Sequence, residues 1–234
     1  MIVGVEHAVV TGAGSGIGRA VALALVQEGM HVHLVGRDTT KLALVAACSK
    51  GRTSVHVADL ASAEAIHGLV EELGPQMHVL VHSAGFYARG KVESLNAEQW
   101  ASLDRVNVYA PLLLTSACLS RLRAASGQVV FINSSAGLHT SPGVAAYAAG
   151  KHALKAAVDT LRQEVNADGI RVLSIFPGRT DTPMQQGILA LEQRTARPGS
   201  LMRPEDVASM IVAALKLPMT AEVTDIIMRP MRPL

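Results

Sequence analysis

Aromatic side chains are scarce in this chain: Phe, Trp and Tyr make up 3% of its 234 residues. The core must therefore be built from Ala, Val, Leu and Ile, which suits helices packed on a parallel sheet. There is also no basic run with interleaved aromatics, and the net charge is only +2. Both features argue against a nucleic-acid partner. Two cysteines, Cys48 and Cys118, stand far apart in expected helices and read as small buried hydrophobes rather than a disulfide framework. Nine histidines are scattered with no metal-ligand spacing, so no metal is expected. No apolar run is long enough to span a bilayer, and the N-terminal stretch lacks the basic region of a leader. The expectation is a cytoplasmic protein with no membrane partner.

What the chain does have is 49% hydrophobic residues, enough for one large α/β domain over 1–234. An apolar strand over 7–11 runs into Gly12-Ala13-Gly14-Ser15-Gly16-Ile17-Gly18, and a helix follows over 19–28. Strand, glycine turn and helix form a setting in which backbone N–H groups and a helix N-terminus bind a pyrophosphate. The glycines let the backbone approach the phosphates and let the helix pack close to the sheet. The spacing is T-G-x-x-x-G-x-G, on Thr11, Gly12, Gly16 and Gly18, rather than G-x-G-x-x-G. A glycine-rich turn without a ligand is the plainer alternative.

A second strand over 31–35 ends in Gly36-Arg37-Asp38. An NAD site usually places an acidic residue at this tip, whereas an arginine suits the 2′-phosphate of NADP. Arg37 therefore favours NADP(H) over NAD(H), against the alternative of a solvated loop cation. Asp38 reads as the cap of a helix over 39–49. A third strand, 54–58, leads to Asp59-Leu60, where Asp59 is placed either to accept from an adenine amino group or to cap the helix starting near Ser62. A fourth strand, 78–82, opens into Ser83-Ala84-Gly85, a small-residue turn at the strand end where an open parallel sheet holds its ligand.

A helical region over 97–124 is marked by Pro111 and carries Asn107 in its interior. Mid-helix Asn is either a surface position or a local kink before the proline, or it marks a backbone carbonyl that holds a water near the active site. A fifth strand, 128–133, empties into Ser134-Ser135-Ala136-Gly137. A sixth, 170–176, ends at Pro177-Gly178-Arg179-Thr180-Asp181-Thr182. The polar stretch 184–200 reads as a mobile substrate flap. A helix over 204–217 and a last strand, 223–228, complete the alternation, which implies a doubly wound sheet.

Between the fifth and sixth strands lies a helix ending near Ala167, carrying Tyr147 and Lys151 four residues apart on one face. A phenol titrates near ~10 in water and is a poor acid or base at neutrality. An adjacent ammonium favours the phenolate and makes the pair a usable general acid/base.

Taken together, Thr11-Gly12-x-x-x-Gly16-x-Gly18, Ser83-Ala84-Gly85, Asn107, Ser134, Tyr147-x-x-x-Lys151 and Pro177-Gly178 resemble the short-chain dehydrogenase/reductase family, in the family's order and over nearly the whole chain. The resemblance implies a Rossmann-type parallel sheet of seven strands in order 3-2-1-4-5-6-7 with helices on both faces, and an NAD(P)-dependent oxidoreductase acting on a carbonyl or secondary alcohol. It implies that Tyr147 exchanges a proton with the substrate oxygen and that Lys151 holds the nicotinamide ribose and lowers the tyrosine pKa. Ser134 would orient the carbonyl, and Asn107 would anchor a water in the proton relay. The cofactor would contact Gly12, Ser15, Gly16, Ile17, Gly18, Arg37, Asp59, Leu60, Ser83, Ala84, Gly85, Pro177, Gly178, Thr180 and Thr182. Homodimers or homotetramers through 112–119 and 152–161 are also implied. The sequence departs from the family at His82-Ser83, where Asn-Asn is usual, and Ser15 stands where many NADP-dependent members carry a basic residue. Ser134 lies thirteen residues before Tyr147 with Gly137 three after it, the family's spacing, which Ser135 would meet only with a shorter loop. His139 and Thr140 join the flap in lining the pocket, where Met184, Ile188 and Leu189 beside Gln185, Gln186 and Arg194 suggest a moderately apolar substrate. A regulatory dinucleotide-binding protein or a scaffold of the same fold is the alternative. Loss of Tyr or Lys is its usual mark, and both are present.

Overall fold

The computed structural model describes residues 5–232; the first four residues, part of the stretch read above for a leader, and the last two lie outside them. Seven parallel strands form one sheet in the order β3-β2-β1-β4-β5-β6-β7. These are β1 (His7–Thr11), β2 (His31–Gly36), β3 (Thr53–Val57), β4 (Val79–His82), β5 (Gln128–Ile132), β6 (Arg171–Pro177) and β7 (Asp225–Met228). The expected order is the observed one.

The central strands β4 and β6 are buried along their whole length, as a sheet covered on both faces requires. The pleat sorts their side chains. Val9, Leu80, Val129 and Val172 face one way, toward a cluster that includes residues of α3 (Ala63–Glu72), α5 (Ala110–Ala125) and α6 (Ala145–Val165). Their neighbours Ala8, Val10, Val81, Val130 and Leu173 face the other way, toward α1 (Gly16–Gln27), α2 (Thr39–Ala47) and α8 (Pro204–Leu215). Short aliphatic side chains fill both layers, and Phe131 and Phe176 are the only fully buried aromatic ones among the described residues.

Several local expectations are corrected. The helix expected over 97–124 is broken into α4 (Ala97–Asp104), a five-residue π-helical turn (Arg105–Tyr109) and α5. Pro111 has no N–H to give the carbonyl of Asn107, and its ring crowds that carbonyl, so the ladder widens there. The segment expected as a flap carries α7 (Pro183–Leu191), with Thr182 capping it through a hydrogen bond from the Gln185 N–H at 3.1 Å. Cys118 is buried, but Cys48, at the C-terminal cap of α2, is exposed. Asp38 caps α2 as expected, accepting from the Lys41 N–H.

Candidate active site

The carboxyl ends of β1, β4, β5 and β6 open into one cavity of about 480 Å³, lined by 31 residues. The glycine turn forms one wall. Gly12 and Gly16 both adopt positive φ, +66° and +52°, which a side chain would oppose. A Cβ on Gly12 would sit 2.8 Å from the Ala84 N, and one on Gly18 would sit 2.3 Å from the Gly12 carbonyl oxygen. The turn, the β4 tip and α1 are thus in backbone contact. Ser15 precedes α1 in an extended conformation, and the first intrahelical bond runs from the Arg19 N–H. The N–H groups of Gly16, Ile17 and Gly18 are the orphan donors of the helix start, with the positive end of its dipole behind them. Ser15, Gly16 and Ile17 line the cavity, a cradle that fits a pyrophosphate.

The β4 tip is held by Thr11, whose hydroxyl accepts from the N–H groups of Ser83 and Ala84, each at 3.1 Å, and donates to the Val81 carbonyl. His82 stands where the family usually has Asn. Its ring stacks on Phe131 with centroids 4.7 Å apart, and its Nε2 lies 2.7 Å from the Thr115 hydroxyl. That hydroxyl spends its hydrogen on the Pro111 carbonyl at 2.8 Å, so the imidazole is the donor and Nε2 carries the proton. Burial pushes the His82 pKa down to about 3, so the ring is neutral and ties β4 to α5. Asn107, 2% exposed, faces the same tip: its Oδ1 accepts from the Phe86 N–H at 3.1 Å and its Nδ2 donates to the Phe86 carbonyl at 2.9 Å. A Cβ on Gly85 would meet that Oδ1 at 2.9 Å, so a side chain there would have to displace the Asn107 amide.

Tyr147 and Lys151 project from α6 into the cavity wall opposite, and both are buried. The Lys151 ammonium donates to the Ile132 carbonyl at 3.0 Å and lies 5.9 Å from the centre of the tyrosine ring. The lowered phenol pKa expected from the neighbouring Lys151 is not the net outcome. Burial pushes Tyr147 up to about 12, the Ser134 hydroxyl beside it works the other way, and the Tyr87 phenol adds to the rise. Burial also pulls Lys151 down to about 8. Desolvation opposes the charged form of both groups and is the largest cause of each shift.

Ser134 rather than Ser135 addresses the phenol; its oxygen also accepts from the Ala136 N–H and caps a short 3-10 turn that begins at Ser135. Asn133, which sequence reading passed over, anchors this loop by donating to the Lys151 carbonyl at 3.1 Å. An Asn closing a buried strand was the available signal. Tyr87 was also missed, although it is one of only three tyrosines and follows the β4 turn. Its ring meets that of Tyr147 edge-on, with centroids 5.0 Å apart.

The other expected residues divide in two. Pro177, Gly178, Thr180 and Thr182 line the cavity, with Thr182 beside Gly16 and also capping α7. Arg37, Asp59, Leu60 and Gly18 do not. Gly18 acts beneath the turn by its packing. The Leu60 side chain is buried in the core, which leaves only its backbone for a ligand. Asp59 is exposed and accepts from the Ala61 N–H, while Ser62 caps α3. Arg37 is exposed immediately after β2.

A family profile described as short chain dehydrogenase matches residues 6–193. This chain belongs to the short-chain dehydrogenase family. An uncharacterised oxidoreductase of Staphylococcus epidermidis is 32% identical over 228 residues, covering 95% of this chain and 96% of that protein. An alcohol dehydrogenase from the archaeon Thermococcus sibiricus, complexed with 5-hydroxy-NADP, superposes with a TM-score of 0.86 at 26% identity, covering 99% of this chain and 100% of that one. A metagenomic short-chain oxidoreductase in complex with NADP gives 0.82 at 27% identity, covering 97% and 98%. As a short-chain dehydrogenase the protein is an oxidoreductase of the class that interconverts C=O and CH–OH groups with a nicotinamide nucleotide.

Proposed function

We propose that the protein interconverts a small carbonyl compound and its secondary alcohol with NADP(H), using Tyr147 as the proton-transferring group. The observation that carries this reading is one cavity holding both the helix-start cradle of Ser15, Gly16 and Ile17 and the hydroxyls of Ser134 and Tyr147. The bound nicotinamide supplies or accepts the hydride at the substrate carbon. In the reducing direction negative charge grows on the substrate oxygen, and Ser134 and Tyr147 are the donors that meet it. Tyr147 then gives up its proton to that oxygen, and the products are the alcohol and the oxidised nucleotide. A phenol at about 12 holds its proton firmly until the oxygen turns basic, which suits it to donate late. Lys151, cationic below about pH 8, supplies the positive charge that stabilises the phenolate left behind. Asn107 shapes the β4 tip, and its own carbonyl, denied an α-helical partner by Pro111, is the candidate acceptor for a relay water.

NADP(H) is favoured over NAD(H) because Arg37 stands exposed at the end of β2 with no acidic side chain at the tip. NADP-type ligands in the Thermococcus and metagenomic relatives support this choice. Homodimers or homotetramers through α5 and α6 accord with the half-exposed Leu113, and light scattering of the purified protein checks them. Tyr147→Phe is expected to cut turnover by about 10²–10⁴-fold while NADPH still binds; wild-type turnover in this variant would refute the assignment. Arg37→Ala is expected to raise KM for NADPH well above any change for NADH, and equal effects would remove Arg37 from the site.

A further inference from the structure

Beyond Tyr87, on the side of the cavity formed by the β4–α4 loop and α7, lies a charged cluster that the proposed chemistry does not use. Glu192, at the C-terminal cap of α7, is held by two arginines. Arg89 Nη1 lies 3.0 Å from its Oε1, and Arg179 Nη2 lies 3.0 Å from Oε1 and 2.9 Å from Oε2. Two cations and one anion leave one positive charge. Glu192 is the only carboxylate lining the cavity among the described residues, and Arg179 and Lys151 are its lining cations.

Three buried polar atoms in this region have no hydrogen-bond partner among the described residues: one acceptor, Glu192 Oε2, which is ion-paired with Arg179, and two donors. One donor is Arg179 Nη1, and the other is Nε2 of Gln185, whose side chain is 6% exposed. Both residues line the cavity. Gln185 and Glu192 are seven residues apart on α7 and so share a face of that helix. Buried donors without acceptors cost free energy, and a guanidinium nitrogen is the more costly of the two. Two unpartnered donors on cavity-lining residues, beside one net positive charge, are complementary to a planar anion with two oxygens.

We infer that Arg179 and Gln185, with Arg89 at the rim, form a carboxylate-recognition subsite, and that the substrate is a short oxo acid or the matching hydroxy acid. The subsite is one ring away from the proton donor. Tyr87 touches Tyr147 with ring centroids 5.0 Å apart, and its hydroxyl lies in the field of Arg89, Glu192 and Arg179. That separation suits a carboxylate only a few bonds from the reacting carbon. Tyr87 thus interacts with both the proton donor and the charged cluster. This inference rests on the reading of Tyr147 as proton donor, and it adds the substrate class.

The test compares 3-oxo and 4-oxo acids with their methyl esters as substrates for the whole protein with NADPH. The wild type is expected to prefer an acid over its ester in kcat/KM by about tenfold or more, chiefly through KM. Arg179→Met should bring that ratio toward one, whereas Glu192→Gln, which adds net positive charge at the subsite, should raise it. Opposite shifts of one ratio cannot both come from misfolding. Equal use of acid and ester by the wild type, or shifts of the same sign in the two variants, would overturn the inference while leaving the dehydrogenase reading intact. Should no compound of the panel react, calorimetry of malonate and dimethyl malonate with NADPH-loaded protein decides: selective binding of the dianion supports the subsite, and its absence overturns it. Failure to bind NADPH, or full turnover by Tyr147→Phe, would instead sink the catalytic reading.

Discussion

At the scale of single residues, the pair Tyr147 and Lys151 shows how far spacing can be pushed. Four residues on a helix guarantee proximity, and proximity to an ammonium was the ground for expecting an acidified phenol. The structure keeps the proximity and reverses the shift, because both groups are buried and water no longer stabilises either charge. Burial is a property of the assembled sheet and was not legible in five residues. The reversal makes a kinetic prediction. Lys151 is protonated below about pH 8 and neutral above it, whereas Tyr147 keeps its proton throughout. Carbonyl reduction should therefore hold steady below about pH 8 and fall above it as the cation is lost. Lys151→Arg, which stays charged, should abolish that alkaline limb even where its absolute rate is lower. A limb that survives in this variant would assign it to another group.

At the scale of elements, the alternation of strands and helices was legible because buried parallel strands need continuous Val, Leu and Ile. The tight turn at Gly12 and Gly16 was legible because few other residues take its backbone angles. The miss at α7 was avoidable: Thr182 followed by Pro183 is an N-cap followed by a proline at the first helical position, as good a start signal as the proline of α8. The polar residues around Gly187 masked it. A different miss concerns the histidines, which looked scattered in sequence and are neighbours in space. The His7 N–H donates to Nδ1 of His78, and His7 Nδ1 lies 3.3 Å from His33 Nε2. His33 Nδ1 lies 2.9 Å from His56 Nε2, and His56 Nδ1 lies 2.6 Å from Glu72. His31 meets the ring of His33 edge-on, with centroids 5.3 Å apart. Sheet register, which sets His7 against His31 and brings β3 alongside, made this row, and no spacing along the chain announces it. No three of these side chains converge on a point where a metal could sit.

The row has a consequence for acid stability. Burial first, then the neighbouring rings of His56, His31 and His7, pull the His33 pKa down to about 4 from an ordinary value of 6.5. Burial alone pulls His82 to about 3. Between the unfolded and folded values the unfolded chain binds protons that the native one refuses, so stability falls as the pH drops. The stabilisation is complete above 6.5 and is lost progressively toward about 4. Thermal unfolding followed by calorimetry should show the midpoint falling across that window. His33→Val and His82→Asn should each flatten the fall. A midpoint insensitive to pH there, or unchanged slopes in both variants, would contradict the account.

At the scale of the whole molecule, the sheet separates two kinds of proton chemistry. The cavity opens at the carboxyl ends of the strands, with Tyr147 and Lys151 on its wall. His7 and His31 are the first residues of their strands, so the imidazole row begins at the opposite rim. A bell-shaped activity profile would then have flanks with unrelated origins. The alkaline flank would belong to the reaction itself, respond to Lys151→Arg and be instantly reversible. The acid flank would belong to the scaffold, deepen with incubation time and yield to substitutions at His33 and His82, neither of which lines the cavity. A variant engineered to work in acid would thus be sought among these buried imidazoles, leaving the lining of the cavity as it stands.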